Sequence, residues 1–169
     1  MMIHVCSLAE LHSTVAAVSA SHIVTVMGKV EKAQTPASIL AANHLRVSMD
    51  DITEAADGFK VPAATHIETV LHFVRHWDRR APLVVHCFAG ISRSTATAFL
   101  AACALNPGRD ESEIASAIRA ASPSASPNRL IVQLADQILG RDGRMVRALD
   151  HIGPGSAVLE GRPFRIHIE

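Results

Sequence analysis

The amino-acid sequence predicts an α/β fold: a central, mostly parallel, twisted sheet flanked by helices. Three observations carry that prediction. Short β-branched runs alternate with helix-spaced apolar residues through the first half of the chain. One run, Leu83-Val84-Val85, is continuously apolar, as a strand covered on both faces is expected to be. The stretch behind it, Ser94–Leu105, is almost wholly apolar and reads as a buried helix.

Taken in order, Ile3–Cys6 reads as a strand. Leu8, Leu11, Val15 and Val18 then recur at helical spacing. Ile23–Met27 is a β-branched run closed by Gly28, a second strand; Ile39–Asn43 has no clear type. Leu45, Val47 and Met49 alternate with polar residues, which predicts a strand with one buried face. From Pro62, taken as first-turn proline, Ile67, Val70, Leu71, Val74 and Trp77 mark one helical face. After the apolar strand and helix, Asn106-Pro107-Gly108 is a stop. Asp110 with Glu113 resembles a capping box for a helix carrying Ile114 and Ile118. Leu130, Ile131, Leu134, Ile138 and Leu139 mark the next helix, which Asn128 starts and Gly140 ends. A last helix over about 144–152 is broken by Gly153-Pro154-Gly155, and Phe164–Ile168 alternates as a terminal strand. Arg141, Arg144 and Arg147 read as a solvated basic helix end.

With 169 residues, 49% hydrophobic and 19% charged, the chain is long and apolar enough to bury a core. One domain over 1–169 is expected, with 153–169 set apart as a candidate C-terminal extension. Sixteen basic and sixteen acidic residues balance, which gives no electrostatic ground for a nucleic-acid or membrane-surface partner. No signal peptide and no membrane span are expected. Three scattered cysteines, Cys6, Cys87 and Cys103, fit a reducing, cytoplasmic setting rather than a disulfide framework.

The chemistry concentrates in Val84-Val85-His86-Cys87-Phe88-Ala89-Gly90-Ile91-Ser92-Arg93-Ser94-Thr95. It joins the apolar strand to the apolar helix, at the strand's C-terminal end where open α/β sheets bind ligands. A short loop entering a helix aims several backbone N–H groups into one concavity, and the helix dipole adds positive potential there. Gly90 allows a backbone angle that a β-carbon resists. Arg93 offers a planar two-pronged donor to phosphate oxygens. Cys87 opens the same loop, and helix N-termini with adjacent cations favour thiolates. A nucleophile beside an oxyanion cradle suits phosphoryl transfer to sulfur.

The segment His86–Thr95 resembles the signature loop of cysteine-dependent protein tyrosine phosphatases, His-Cys-x5-Arg-Ser/Thr, in the compact dual-specificity branch. Ser126-Pro127-Asn128-Arg129-Leu130-Ile131-Val132-Gln133-Leu134 is similar to a second segment of that branch, and the likeness spans about residues 40 to 140. It implies roles by position. Cys87 is the nucleophile of a phosphocysteine intermediate. Arg93 binds the phosphoryl oxygens, His86 fixes the loop and Ser94 donates to the sulfur. The backbone of Phe88, Ala89, Gly90, Ile91 and Ser92 lines the cradle. The family's general acid is an aspartate 30 to 40 residues before the cysteine. Asp50 and Asp51 both qualify, and the alternation of Leu45, Val47 and Met49 favours Asp51. No metal or cofactor is implied, and the substrate is a phosphorylated protein or peptide.

Each residue also has a plainer reading. Cys87 alone would be a buried core cysteine, Asp51 a turn residue and Ser94 a helix cap. His72 and His76, spaced i, i+4, lack a third ligand and read as a solvated face. Rival functions are a phosphate-reading binding module with little turnover, a phosphoinositide phosphatase, and arsenate reduction or sulfur transfer on the same loop. The last two chemistries need a resolving cysteine or another loop composition, and the loop holds no second cysteine.

Overall fold

The structure is a computed structural model and describes residues 1–169. Five strands and six helices follow in the order β1 (Met2–Ser7), α1 (Leu11–Val18), β2 (His22–Met27), β3 (His44–Ser48), α2 (Ala64–His76), β4 (Leu83–Cys87), α3 (Arg93–Leu105), α4 (Glu111–Ala121), α5 (Arg129–Ile138), α6 (Arg144–Ile152) and β5 (Phe164–His167). The strands form one sheet in the order β3-β2-β4-β1-β5. The first four are parallel, and β5 runs antiparallel to β1, with Ile3 opposite Ile166. The mostly parallel sheet expected from the sequence is therefore present, closed at one edge by a strand from the C-terminal segment.

Strand β4 lies at the centre, and its five residues are all buried. Alternation sends Leu83, Val85 and Cys87 to one face and Val84 and His86 to the other. On the first face they join the larger core cluster with Phe99 and Leu100 of α3, Leu71 of α2 and Ile131 of α5. On the second face Val84 meets Leu11 and Val15 of α1 and Ile23 of β2. Each fully buried Leu, Ile or Phe stabilises the fold by roughly 1.5–3 kcal/mol. Helix α3 is buried on nearly every side, which explains why it is almost wholly apolar from Ala98 onwards.

Caps set the helix starts behind the site. Asp110 accepts from the N–H groups of Ser112 and Glu113 at the start of α4. Asn128 accepts from Ile131 N–H at 3.1 Å at the start of α5. Asp136, on α5, accepts from the N–H groups of Gly143, Met145 and Val146 and so caps α6 from its neighbour.

Several expectations need correction. Pro62 precedes α2 rather than opening it, because Ala63 is the cap and helical geometry begins at Ala64. Trp77 ends that helix in extended geometry. Arg141 is not solvated: it is 9% exposed, bonds Glu111 at 3.1 Å and donates to the carbonyls of Cys103 and Pro107. Arg144 reaches the same Glu111, so the buried carboxylate is paired by two cations.

Candidate active site

The chain leaves β4 at Cys87, turns through residues 88–92 and enters α3 at Arg93. Gly90 has φ +71°, and a β-carbon there would lie 2.8 Å from backbone atoms of Cys6 and Ser7. The loop therefore passes too close to β1 for any side chain. Gly90→Ala should cost about 2–4 kcal/mol, from left-handed strain and overpacking. Urea unfolding checks this; a cost below 1 kcal/mol would contradict the close approach.

Four of the loop's five carbonyls are held from separate parts of the chain. Phe88 O accepts from Leu8 N–H at 3.1 Å and Ala89 O from Gly161 N–H at 2.9 Å. Ile91 O accepts from Ser126 N–H at 2.9 Å and Ser92 O from Asn128 N–H at 3.2 Å. The Thr95 hydroxyl adds bonds to Ile91 O and Ser92 O. The N–H groups of Phe88, Ala89, Ile91 and Ser92 have no acceptor within the chain. Backbone donors without an internal partner need one from outside, and a loop so arranged is an anion cradle.

Cys87 opens this cradle, only 2% exposed. Its Sγ lies 3.1 Å from Ser94 Oγ and accepts from Gly90 N–H at 3.3 Å. Arg93 donates through one Nη to Met49 O at 3.0 Å, which fixes its direction. Its Nε is buried without a partner. The guanidinium thus keeps donors in reserve.

Asp51 sits across the loop. Its Oδ1 accepts from Ser92 Oγ at 2.7 Å and from Asn128 Nδ2 at 2.8 Å, while Asn128 also donates to Ile52 O. Its Oδ2 has no partner in the chain. Asp50 is occupied differently. Its carboxylate accepts from Lys60 N–H at 2.7 Å, and its own N–H donates to Lys60 O, closing the 50–60 loop. It lines a cavity of about 190 Å³ with Lys29, Lys32, Phe88 and Arg93.

His86 points away from the cradle, as alternation requires. It is fully buried, and its Nε2 lies 2.6 Å from Thr25 Oγ1. Thr25 in turn lies 2.7 Å from His44 Nε2. Burial pushes His86 down to about 4, with the Arg46 charge adding to it and a bond to the Cys87 carbonyl opposing it. Burial also pushes His44 down to about 4, reinforced by Arg46 and His86. An unfolded histidine titrates near 6.5, so unfolding below that pH takes up a proton on each ring. Stability is full above about pH 6.5 and falls towards about pH 4, by up to about 1.4 kcal/mol per pH unit for each ring. Urea titrations between pH 7 and 4.5 should show the decline. A flat profile in His44→Gln,His86→Gln would assign it to these rings.

The structure brings the loop residues named from the sequence, Cys87 to Ser94, and Asp51 to one end of the sheet, with His86 on the opposite face. Sequence reasoning missed Thr25 and His44. The available signal was a lone threonine inside the apolar run Ile23–Met27. Asn128, read as a helix start with a family counterpart that packs near the active loop, caps α5 and also reaches Asp51 through its amide.

The chain matches the family model "Protein-tyrosine phosphatase" over residues 55–125. Dual specificity protein phosphatase 15 of Rattus norvegicus is 34% identical over 110 residues, covering 64% of this chain and 41% of the rat protein. The Mus musculus protein of the same name is 37% identical over 86 residues, 50% of this chain and 34% of its own length. The chain thus spans less than half the length of these relatives. A solved structure of DUSP15 superposes with TM-score 0.62 at 21% identity, covering 91% of this chain and 94% of that one. Human DUSP28 gives TM-score 0.62 at 20% identity, with 82% and 88% covered. These two show the shared fold. Strand, cradle and sequence are together similar to those of the protein tyrosine phosphatases over this stretch. Both curated relatives carry the dual-specificity name.

Proposed function

We propose that residues 1–169 form one phosphatase unit that hydrolyses phosphomonoesters on protein tyrosine, and on serine or threonine, through a phosphocysteine intermediate. The observation that carries this reading is the buried Cys87 sulfur at the mouth of a loop in which four N–H groups, of Phe88, Ala89, Ile91 and Ser92, are unclaimed while the carbonyls of the same four residues are tied back. Arg93 and the N–H groups of residues 88–92 bind the three terminal phosphate oxygens. The Cys87 thiolate attacks phosphorus, the ester P–O bond breaks, and Asp51 gives its proton to the departing oxygen. A water then attacks the phosphocysteine, with Asp51 taking its proton. Phosphorus leaves the sulfur, towards which the Ser94 hydroxyl donates, and inorganic phosphate is released.

The assignment of Asp51 over Asp50 rests on what each already holds. Asp50 closes its own loop, whereas Asp51 is braced by Ser92 and Asn128 with one oxygen left over. Asp51→Asn should therefore slow turnover about 10²–10⁴-fold for alkyl phosphates and much less for p-nitrophenyl phosphate, whose leaving group needs no proton. Equal losses on both esters would contradict the assignment.

The overall reading is tested by assaying phosphotyrosine, phosphothreonine and phosphoinositide substrates side by side, with Cys87→Ser as control. Turnover of the phosphopeptides supports it. Stoichiometric phosphopeptide binding without product release would make the chain a binding module. Exclusive turnover of the inositol lipid would move the substrate class. The loop contributes Phe88, Ala89 and Ile91 and no lysine, which favours a singly phosphorylated side chain over a crowded headgroup. No helix is long and apolar enough to cross a membrane. We place the activity in a reducing, cytoplasmic setting, because its thiolate must stay unoxidised.

A further inference from the structure

Behind the nucleophile, on the sheet face opposite Cys87, polar side chains run in one line across three strands. Arg46 of β3, Thr25 of β2 and His86 of β4 are register neighbours, and His44 precedes Arg46 by two residues on the same face. Arg46 Nη2 lies 2.8 Å from Thr35 Oγ1, which lies 2.8 Å from His44 Nδ1. His44 Nε2 is 2.7 Å from Thr25 Oγ1, which is 2.6 Å from His86 Nε2. His86 Nδ1 ends the line 3.4 Å from the Cys87 carbonyl oxygen.

The direction of every bond follows from counting protons. The Cys87 carbonyl can only accept, so His86 carries its proton on Nδ1. A neutral ring has one such proton, so Nε2 is bare and accepts from the Thr25 hydroxyl. Thr25 has then used its only hydrogen and accepts from His44 Nε2–H. His44 Nδ1 is bare in turn and accepts from Thr35, whose oxygen accepts from the Arg46 guanidinium. Reversing the line would set the His86 lone pair against the Cys87 carbonyl and leave the Thr35 hydroxyl hydrogen without an acceptor. Burial keeps both rings in their one-proton form at neutral pH.

We propose that Thr25 and His44 are positioning residues that lock His86 with its Nδ1–H aimed at the Cys87 carbonyl. This rests on the phosphatase reading for its functional meaning. The Cys87 carbonyl and the Phe88 N–H belong to one peptide unit. A donor on that carbonyl polarises the unit and strengthens the Phe88 N–H, one of the cradle's unclaimed donors. The line thus couples the far edge of the sheet to the start of the phosphate loop.

Histidine-selective ¹⁵N labelling of the wild-type protein at neutral pH tests the proton pattern directly. His86 should be protonated at Nδ1 and bare at Nε2, and His44 the reverse. Thr25→Val should dissolve the His86 pattern and slow Cys87 alkylation by iodoacetamide about 3- to 10-fold, a hydrogen bond's worth. It should lower kcat on an aryl phosphate with little change in KM, and Thr25→Ser should restore all three. A wild-type His86 protonated at Nε2 overturns the inference, whether or not the valine variant folds. So does a folded Thr25→Val with wild-type spectrum and alkylation rate. A wild type with the expected proton pattern and the Thr25 effect on alkylation, but no turnover of any phosphate ester, would remove the proposed function and leave this positioning role standing.

Discussion

Cys87→Ser should eliminate phosphate-ester hydrolysis, with kcat falling on the order of 10⁵–10⁶-fold. An alcohol at this position is a far poorer nucleophile than a thiolate, and no other thiol can replace it. Cys6 and Cys103 are both buried, and burial pushes each thiol up to about 12. The serine oxygen still finds Ser94 Oγ and Gly90 N–H within reach, so the loop should keep its shape. The variant should therefore bind a phosphotyrosine peptide within several-fold of wild type while releasing no phosphate. Calorimetric titration and a phosphate-release assay on one preparation check both halves. Residual turnover near the wild-type rate would refute the covalent route.

Arg93→Ala should cost about 10³–10⁵-fold in kcat/KM, the range found when an arginine that neutralises a transferring phosphoryl group is lost. Arg93→Lys should recover little of it. The guanidinium spends one nitrogen on Met49 O and still has others to present. An ammonium cannot hold that backbone tie and offer a two-pronged face as well. Because the residue opens α3 at the cradle, binding of inorganic phosphate should weaken in parallel. A lysine variant with near wild-type kcat/KM would show that simple charge, not geometry, is what the site requires.

How much of this was legible from the chain depended on whether the partners are neighbours in sequence. His86 to Ser94 form one contiguous strand–loop–helix passage, so nucleophile, cradle and arginine could be read together. Asp51 could be read from the phase of Leu45, Val47 and Met49, although β3 ends at Ser48. What holds Asp51 in place could not, because Asn128 is 77 residues away and Ser92 is 41. The same applies to Thr25 and His86, 61 residues apart and made neighbours only by parallel strand register. Arg141 was misread for a related reason: helical spacing marks the charge, but only the packing of α4 places Glu111 beside it. The alternation of Phe164–Ile168 showed a strand but not its antiparallel place beside β1.

The outward ties of the phosphate loop come from Leu8, Ser126, Asn128 and Gly161, stations strung along almost the full length of the polypeptide. Thiol and guanidinium sit six residues apart, yet neither is armed until remote stretches have docked around them. Any fragment ending before Gly161, and any half-folded conformer, lacks one of those moorings. On the proposed reading, activity would therefore report completed folding, and a nascent or misassembled molecule would leave phosphate esters untouched.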